Sequence, residues 1–262
     1  MKNFLIMICF VGVALSCDRV TEEKIRSYIV EFTEYKTIHL ELTEKGNIAM
    51  YWRDKGQWGS FSGDGDTKYY DALCEKYNDL NYNKKTRYIA TIACREYSSN
   101  EIVSISMISN AVFDSDHPAG STLDDLVYLV SSSPIRFIQS NYKETYNWNA
   151  PYPLTILSEN SDFHLAFCYN GDDGPVTPHH YLVYGSLSEL KKDDFRLLGQ
   201  GHYDIGNGQP TIYPDHAPGS GYFFGNLKFD KDPDIPGIHE LTVSVHLADG
   251  RTLTQTIEKN FE

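Results

Sequence analysis

Cysteine, tryptophan and positive charge are scarce in this chain of 262 residues, which has 5 Cys, 3 Trp, and 23 Lys plus Arg against 36 Asp plus Glu. The shortage of cations leaves a formal charge of −13. It excludes nucleic acid as a partner, because phosphate binding relies on clustered Lys and Arg. Adsorption to an anionic membrane by charge alone is excluded for the same reason. There is no C-x-x-C pair, so a zinc site of the usual spacing is excluded. None of the nine histidines stands four residues from another, as a helical metal pair requires. The adjacent His179-His180, and His202 and His216 beside Asp204 and Asp215, do not supply such a cluster. Gly219-Ser220-Gly221 lacks the spacing of a G-x-S-x-G nucleophile elbow. No apolar run reaches the roughly 20 residues of a membrane-spanning helix, and no internal repeat or low-complexity tract is visible.

What is present begins at the first residue. Met1-Lys2-Asn3 precedes an apolar run from Phe4 to Leu15, then Ser16-Cys17. A basic start, an apolar core of about a dozen residues and a small residue before the cut describe a secretory signal. Ala14-Leu15-Ser16-Cys17 resembles the lipobox of bacterial lipoproteins, with Ala where Leu is more usual. The resemblance implies cleavage after Ser16, lipidation of Cys17 with palmitate among its acyl chains, and anchorage to a bacterial cell envelope, at the outer membrane. Residues 17–24 form a polar tether. The acidic residues behind Cys17 resemble surface-export signals of Bacteroidetes lipoproteins, although Arg19 and Val20 interrupt the run. Removing residues 1–16 leaves 246 residues, enough for one large or two ordinary domains.

Cys74, Cys94 and Cys168 remain once Cys9 and Cys17 are set aside. Their odd number allows one internal disulfide at most. Proximity favours Cys74 with Cys94, and burial of all three as small apolar residues is the alternative. The 19 Tyr and 13 Phe, with 19 Gly and 11 Pro, suit a β-rich extracellular protein.

Ile38, Leu40 and Leu42, then Ile48, Met50 and Trp52, alternate on either side of Glu44-Lys45-Gly46-Asn47 and predict a hairpin with one wet face. Residues 54–66 read as a loop. Asp66 or Thr67 caps a helix whose stripe is Tyr70, Leu73, Cys74 and Tyr77. Strands follow near 88–94 and 103–107, and near 154–156, 163–169 and 181–184. Ser121 to Asp124 and Ser186 to Glu189 read as capping boxes of short helices. Leu241, Val243, Val245 and Leu247, then Asp249-Gly250, predict a closing hairpin on a type I′ turn. Many short strands without long amphipathic helices predict an all-β, mainly antiparallel sandwich. Residues 25–87 form an N-terminal hairpin-and-helix region, and residues 88–262 the sandwich proper.

The strand Ile102-Val103-Ser104-Ile105, the loop Asp114-Ser115-Asp116-His117-Pro118-Ala119-Gly120 and Leu123-Asp124-Asp125-Leu126 resemble a family of Bacteroidetes lipoproteins built on domains of unknown function. The closing Gly237 to Leu253 hairpin is similar to the last strands of the same proteins. The resemblance covers residues 88–262. It implies an immunoglobulin-like or related sandwich on a cell envelope and carries over no functional residue.

Asp230, Asp232 and Asp234 place carboxylates at alternate positions, a spacing that can surround Ca2+, although Pro233 and Pro236 interrupt the usual loop. Asp114 with Asp116, Asp64 with Asp66 and Asp172 with Asp173 are weaker versions. Trp52 and Trp58 flank Gly- and Asp-rich sequence, and Trp148 and Tyr152 share a stretch with Asn147 and Asn149. Aromatic faces beside amides suit stacking on sugar rings. The sequence therefore points to a non-catalytic binding or adhesion module, membrane-held by lipid, with a glycan or another envelope protein as partner. A glycan hydrolase and a subunit assembling by strand addition are the alternatives.

Overall fold

Period-two alternation decides which face of each strand is buried. In β1 (Glu31–Leu42) and β2 (Ile48–Ser60) the side chains of Ile38, Leu40, Ile48, Met50 and Trp52 turn inward, while Lys36, Thr37 and Lys55 stay in water. The structure is a computed structural model, and it describes residues 26–61, 65–82, 96–144, 180–199 and 222–262. At the first hairpin Thr43 N–H donates to Asn47 O at 2.9 Å and Gly46 N–H to Thr43 O at 2.9 Å, with Gly46 at φ +76°. The closing hairpin joins β8 (Gly237–Leu247) to β9 (Thr252–Phe261) and repeats this loop. There Leu247 N–H donates to Arg251 O at 2.9 Å and Gly250 sits at φ +88°. Only the glycine of that turn has a positive φ. Both hairpins therefore use three-residue loops with a left-handed glycine last, not the type I′ turn that Asp249-Gly250 predicts.

Helix α1 (Thr67–Tyr77) is capped by Asp66, whose carboxylate accepts Tyr69 N–H, and it buries the predicted stripe Tyr70, Leu73, Cys74 and Tyr77. Asn78, left-handed at φ 59°, ends it. The remaining elements are β3 (Glu96–Ser98), β4 (Ile102–Ser109), β5 (Val127–Ser133), α2 (Ile135–Gln139), β6 (Tyr181–Ser186), a 3-10 turn (Lys192–Phe195) and β7 (Tyr222–Phe229). The capping-box pattern at Ser121 does not open a helix. Asp124 instead accepts Met107 N–H at 2.8 Å, so its carboxylate serves the edge of β4 and the chain enters β5.

Two sheets form, in the orders β3-β1-β2-β7-β5-β6 and β4-β8-β9. Every pairing is antiparallel except β1 with β3. Seven strands in chain order (β1, β2, β4, β5, β7, β8, β9) occupy the places of strands A to G of the immunoglobulin constant-type sandwich, A-B-E-D against C-F-G. Strands β3 and β6 are additions at the two edges of the larger sheet. The N-terminal hairpin is thus part of the sandwich, and the sheet runs across the expected boundary at residue 88. Along the open side the two hairpins are bridged by side chains: Arg251 of the closing turn to Glu34 at 2.7 Å, Gln255 of β9 to His39 of β1 at 3.5 Å, and Lys259 Nζ to Gly46 O of the first loop at 2.7 Å.

The space between the sheets is filled by Met50, Trp52, Met107, Leu129, Phe224, Val243 and Val245, among others. Trp52 is 1 % exposed, stacks on Phe224 at 4.3 Å between ring centroids, and faces Tyr35 at 6.1 Å. It is a core residue and not the ligand platform that its loop-flanking position predicts. A second cluster packs Phe32, Tyr28, Tyr97, Phe137 and Ile138 against the buried stripe of α1. Asp79 locks that cluster: its carboxylate accepts Tyr28 N–H at 2.6 Å, Ile29 N–H at 2.8 Å and the Tyr142 hydroxyl at 2.8 Å. Among the described residues Cys74 is a free buried thiol; Cys94, the partner weighed for it, is outside the described residues.

Removing the Trp52 ring leaves a core cavity, and Trp52→Ala is expected to destabilise by about 3–5 kcal/mol. Its Nε1 is buried without a hydrogen-bond partner among the described residues. Trp52→Phe keeps the stack and removes that unmet donor, so its cost should be clearly smaller. Urea unfolding of the two variants checks the order, and equal losses would contradict this account.

Candidate functional site

Trp58 stands six residues beyond Trp52 on the same strand, and simple alternation would turn both rings inward. The strand does not stay in register. The pairing shifts between Thr33 and Tyr35, where β2 has one extra residue, and Asp54 adopts φ 57° just before. A bulge of this kind flips the parity of everything after it. Gly59 is consequently buried and Trp58 turns outward, 37 % exposed. Gly59 must be glycine, since a Cβ there would stand 2.3 Å from Asp66 O and 2.9 Å from Tyr70 N. The backbone of Gly65 lies against the indole, with a Cβ position 2.8 Å from Trp58 Cε3.

The start of α1 frames this ring. Asp66 N–H donates to Trp58 O at 3.0 Å, and its carboxylate accepts Tyr69 N–H at 3.0 Å and the Gln57 amide at 3.1 Å. The Tyr69 N–H at the helix N-terminus holds the Asp66 carboxyl below its ordinary range. Tyr69 donates its hydroxyl to Ser99, and burial raises its pKa. An indole seated on a glycine floor with an amide and a carboxylate beside it can take a ring-shaped ligand on its face and hydrogen-bond its polar edge.

Beside α1 lies a cavity of about 440 Å³, lined by Ser27, Tyr70, Asp71, Cys74, Glu75 and Asp79 among others. Burial pushes the Cys74 thiol up to about 12, so it remains neutral.

The loop Asp114 to Gly120 is organised around one carboxylate. Asp114 Oδ1 accepts the N–H groups of Asp116 and His117, both at 2.8 Å, and faces His117 Nδ1 at 2.7 Å. Its Oδ2 meets Lys231 Nζ at 2.8 Å, and that ammonium, first among its partners, holds the carboxyl far below the usual range. His117 Nε2 faces Asp125 Oδ1 at 3.0 Å. Asp114, and then Asp125, raises the imidazole pKa, although burial opposes them. Asp114 with Asp116 therefore makes an anchored turn. The spacing of Asp, His and Pro was its visible signal, and the distant Lys231 was not.

Asp230, Asp232 and Asp234 are exposed. Asp230 and Asp234 give their backbone N–H groups to Leu126 O and Phe113 O at 2.9 and 2.8 Å, fastening the connection before β8 onto the Asp114 loop. Among the described residues no three His, Cys, Asp or Glu side chains converge as a metal site. His239 is buried, with Nδ1 2.8 Å from Ser109 Oγ, and burial lowers its pKa. Cys17, Trp148 and Tyr152 lie outside the described residues. Compared with protein-family models, curated proteins and solved structures, the chain finds no match.

The His117 bridge has a definite pH signature. Its folded pKa is raised, so its contribution to stability is complete below the unfolded value of about 6.5 and is lost as pH rises through the folded value. The stability advantage of the wild type over His117→Gln, measured by urea unfolding from mildly acidic to alkaline pH, should shrink as pH rises. An advantage independent of pH would contradict the bridge.

Proposed function

We propose that this chain is a lipid-anchored binding module of a bacterial outer membrane, held by Cys17 and presenting the Trp58 ledge to a glycan. The observation that carries the reading is the outward turn of Trp58 onto the Gly65 backbone, with Gln57 and Asp66 beside it, while Trp52 is consumed by the core. A buried tryptophan stabilises; a tryptophan left over a third open beside hydrogen-bonding groups is available to a ligand. The leader-like Phe4–Leu15 run and Ala14-Leu15-Ser16-Cys17 support the anchor. The charge of −13 supports a neutral or cationic ligand over an anionic one. The immunoglobulin-type strand order is compatible with recognition but does not by itself assign it.

Two measurements test this reading. Cells given a clickable palmitate analogue should label the full chain and fail to label Cys17→Ala; equal labelling would remove the anchor. The detergent-solubilised chain, applied to a glycan array, should bind a defined set of glycans. Trp58→Ala should weaken that binding by about tenfold or more, since stacked aromatics are typical binding hot spots. Absence of binding, or binding unchanged in Trp58→Ala, would overturn the ledge as the site.

A further inference from the structure

The smaller sheet shows water a face whose composition changes along its length. Its outward residues near the closing turn are hydroxyls in mutual contact, such as Thr242 with Thr256 at 2.8 Å and Ser244 with Thr254 at 3.3 Å. At the opposite end the face becomes aliphatic. Ile238 and Ile235 are each 66 % exposed, Val112 is 47 % and Ile108 is 39 %. Ile108 pairs with Thr242 across β4 and β8, and Ile238 lies on the same face of β8. The hydrogen bond from Asp234 N–H to Phe113 O draws Ile235 and Val112 to this same corner. Four aliphatic side chains so open to water at one corner are unusual for a free surface.

Between Ile238 and the hydroxyls of Thr242 and Thr256 stand Glu240 and Glu258, directly opposite each other on neighbouring strands and both exposed, with Ile108 flanking them in the Thr242 row. Like charges in this position repel and destabilise the sheet. Asn110 donates to Glu240 Oε2 at 2.8 Å and fixes its direction. Among the described residues neither glutamate has an ion-pair partner. The nearest cation in sequence, Lys259, is committed to Gly46 O at 2.7 Å across the sandwich. The chain thus holds two unneutralised carboxylates beside an uncovered aliphatic surface.

We propose that this corner is a docking surface for a protein that presents a lysine or arginine within an aliphatic surface, seating the cation between Glu240 and Glu258. Charge complementarity selects the occupant. A cation there relieves the repulsion the free protein carries, and the flanking isoleucines and valine bury apolar area against the partner. An anionic bilayer is disfavoured by the same carboxylates and by the exposed Asp230, Asp232 and Asp234. This surface is separate from the Trp58 ledge, so its fate does not depend on that reading.

The probe is a short soluble peptide alternating valine and lysine, tested against the full chain by fluorescence anisotropy. Serine–lysine and valine–glutamate peptides and anionic lipid vesicles are the comparisons. The valine–lysine peptide should bind, and its binding should weaken as salt rises. Glu240→Gln with Glu258→Gln should weaken it by about tenfold or more, as should Ile235→Ser with Ile238→Ser. In the free protein Glu258→Gln should raise the thermal midpoint, because it removes the repulsion; a gain in stability with a loss of binding is what a merely structural role would not produce. Failure of the peptide to bind, equal binding by either double variant, equal binding of the valine–glutamate peptide, or preference for vesicles would each overturn the proposal.

Discussion

Trp52 and Phe224 stack at 4.3 Å where β2 meets β7, and this contact joins the two ends of the chain. Strand β2 ends the N-terminal hairpin, and β7 leads into the closing one. Their pairing, from Ile48 with Leu227 to Trp52 with Tyr222, places the first hairpin and β5 in one sheet. That sheet then supplies the floor on which β4, β8 and β9 pack through Met107, Val243 and Val245. Contacts spanning so much sequence carry a large loop-closure cost, which the burial of Trp52, Phe224, Leu129 and their neighbours must offset. Trp58 lies farther along the same strand, beyond the residues that pair with β7.

The two hairpins were legible because their side chains repeat every second residue and because a glycine ends each loop. The α1 stripe was legible from its helical spacing, down to the four residues that are buried. The sheet to which the first hairpin belongs was not legible. Alternation at Ile48, Met50 and Trp52 states that one face is covered and says nothing about the partner strand. The opposite fates of Trp52 and Trp58 were hidden for a more local reason. An even separation on one strand predicts a shared face, and only the extra residue near Gly56, opposite Glu34, separates them. Asp54 and Gly56 were its signal, but Asp and Gly in that stretch read equally well as a loop.

Asp230, Asp232 and Asp234 keep the alternate spacing of a cation loop, but among the described residues they do not converge as one. Alternate carboxylates would surround a cation if the backbone curled about them. Here the backbone N–H groups of Asp230 and Asp234 are bonded to Leu126 O and Phe113 O, and the Lys231 between them reaches Asp114. The anchoring element is the buried Asp114, with its oxygens shared among two backbone N–H groups, an imidazole and an ammonium. A carboxylate so fully engaged has little capacity left for a metal. That judgement depends on Lys231, which lies more than a hundred residues away and could not be placed beside Asp114 by any local pattern.

The chain is strongly acidic, and its treatment of individual carboxylates is uneven in an informative way. Asp79 is surrounded by backbone donors in the core under α1, and Asp114 has its ammonium. Glu101 lies between Lys76 and Lys192, each at 2.7 Å, and the Lys192 ammonium is the leading cause that brings its pKa down to about 2. Among the 23 cations against 36 anions, Lys231, Lys76 and Lys192 fasten distant segments together. Glu240 and Glu258 sit within a regular hairpin that needs no such fastening, yet they are aligned with each other when a shift of one to threonine would remove the repulsion. A fold that neutralises its anchoring carboxylates and leaves this pair opposed, next to four open aliphatic side chains, has its least settled surface at that corner. Stability does not account for the arrangement; the docking proposed above would.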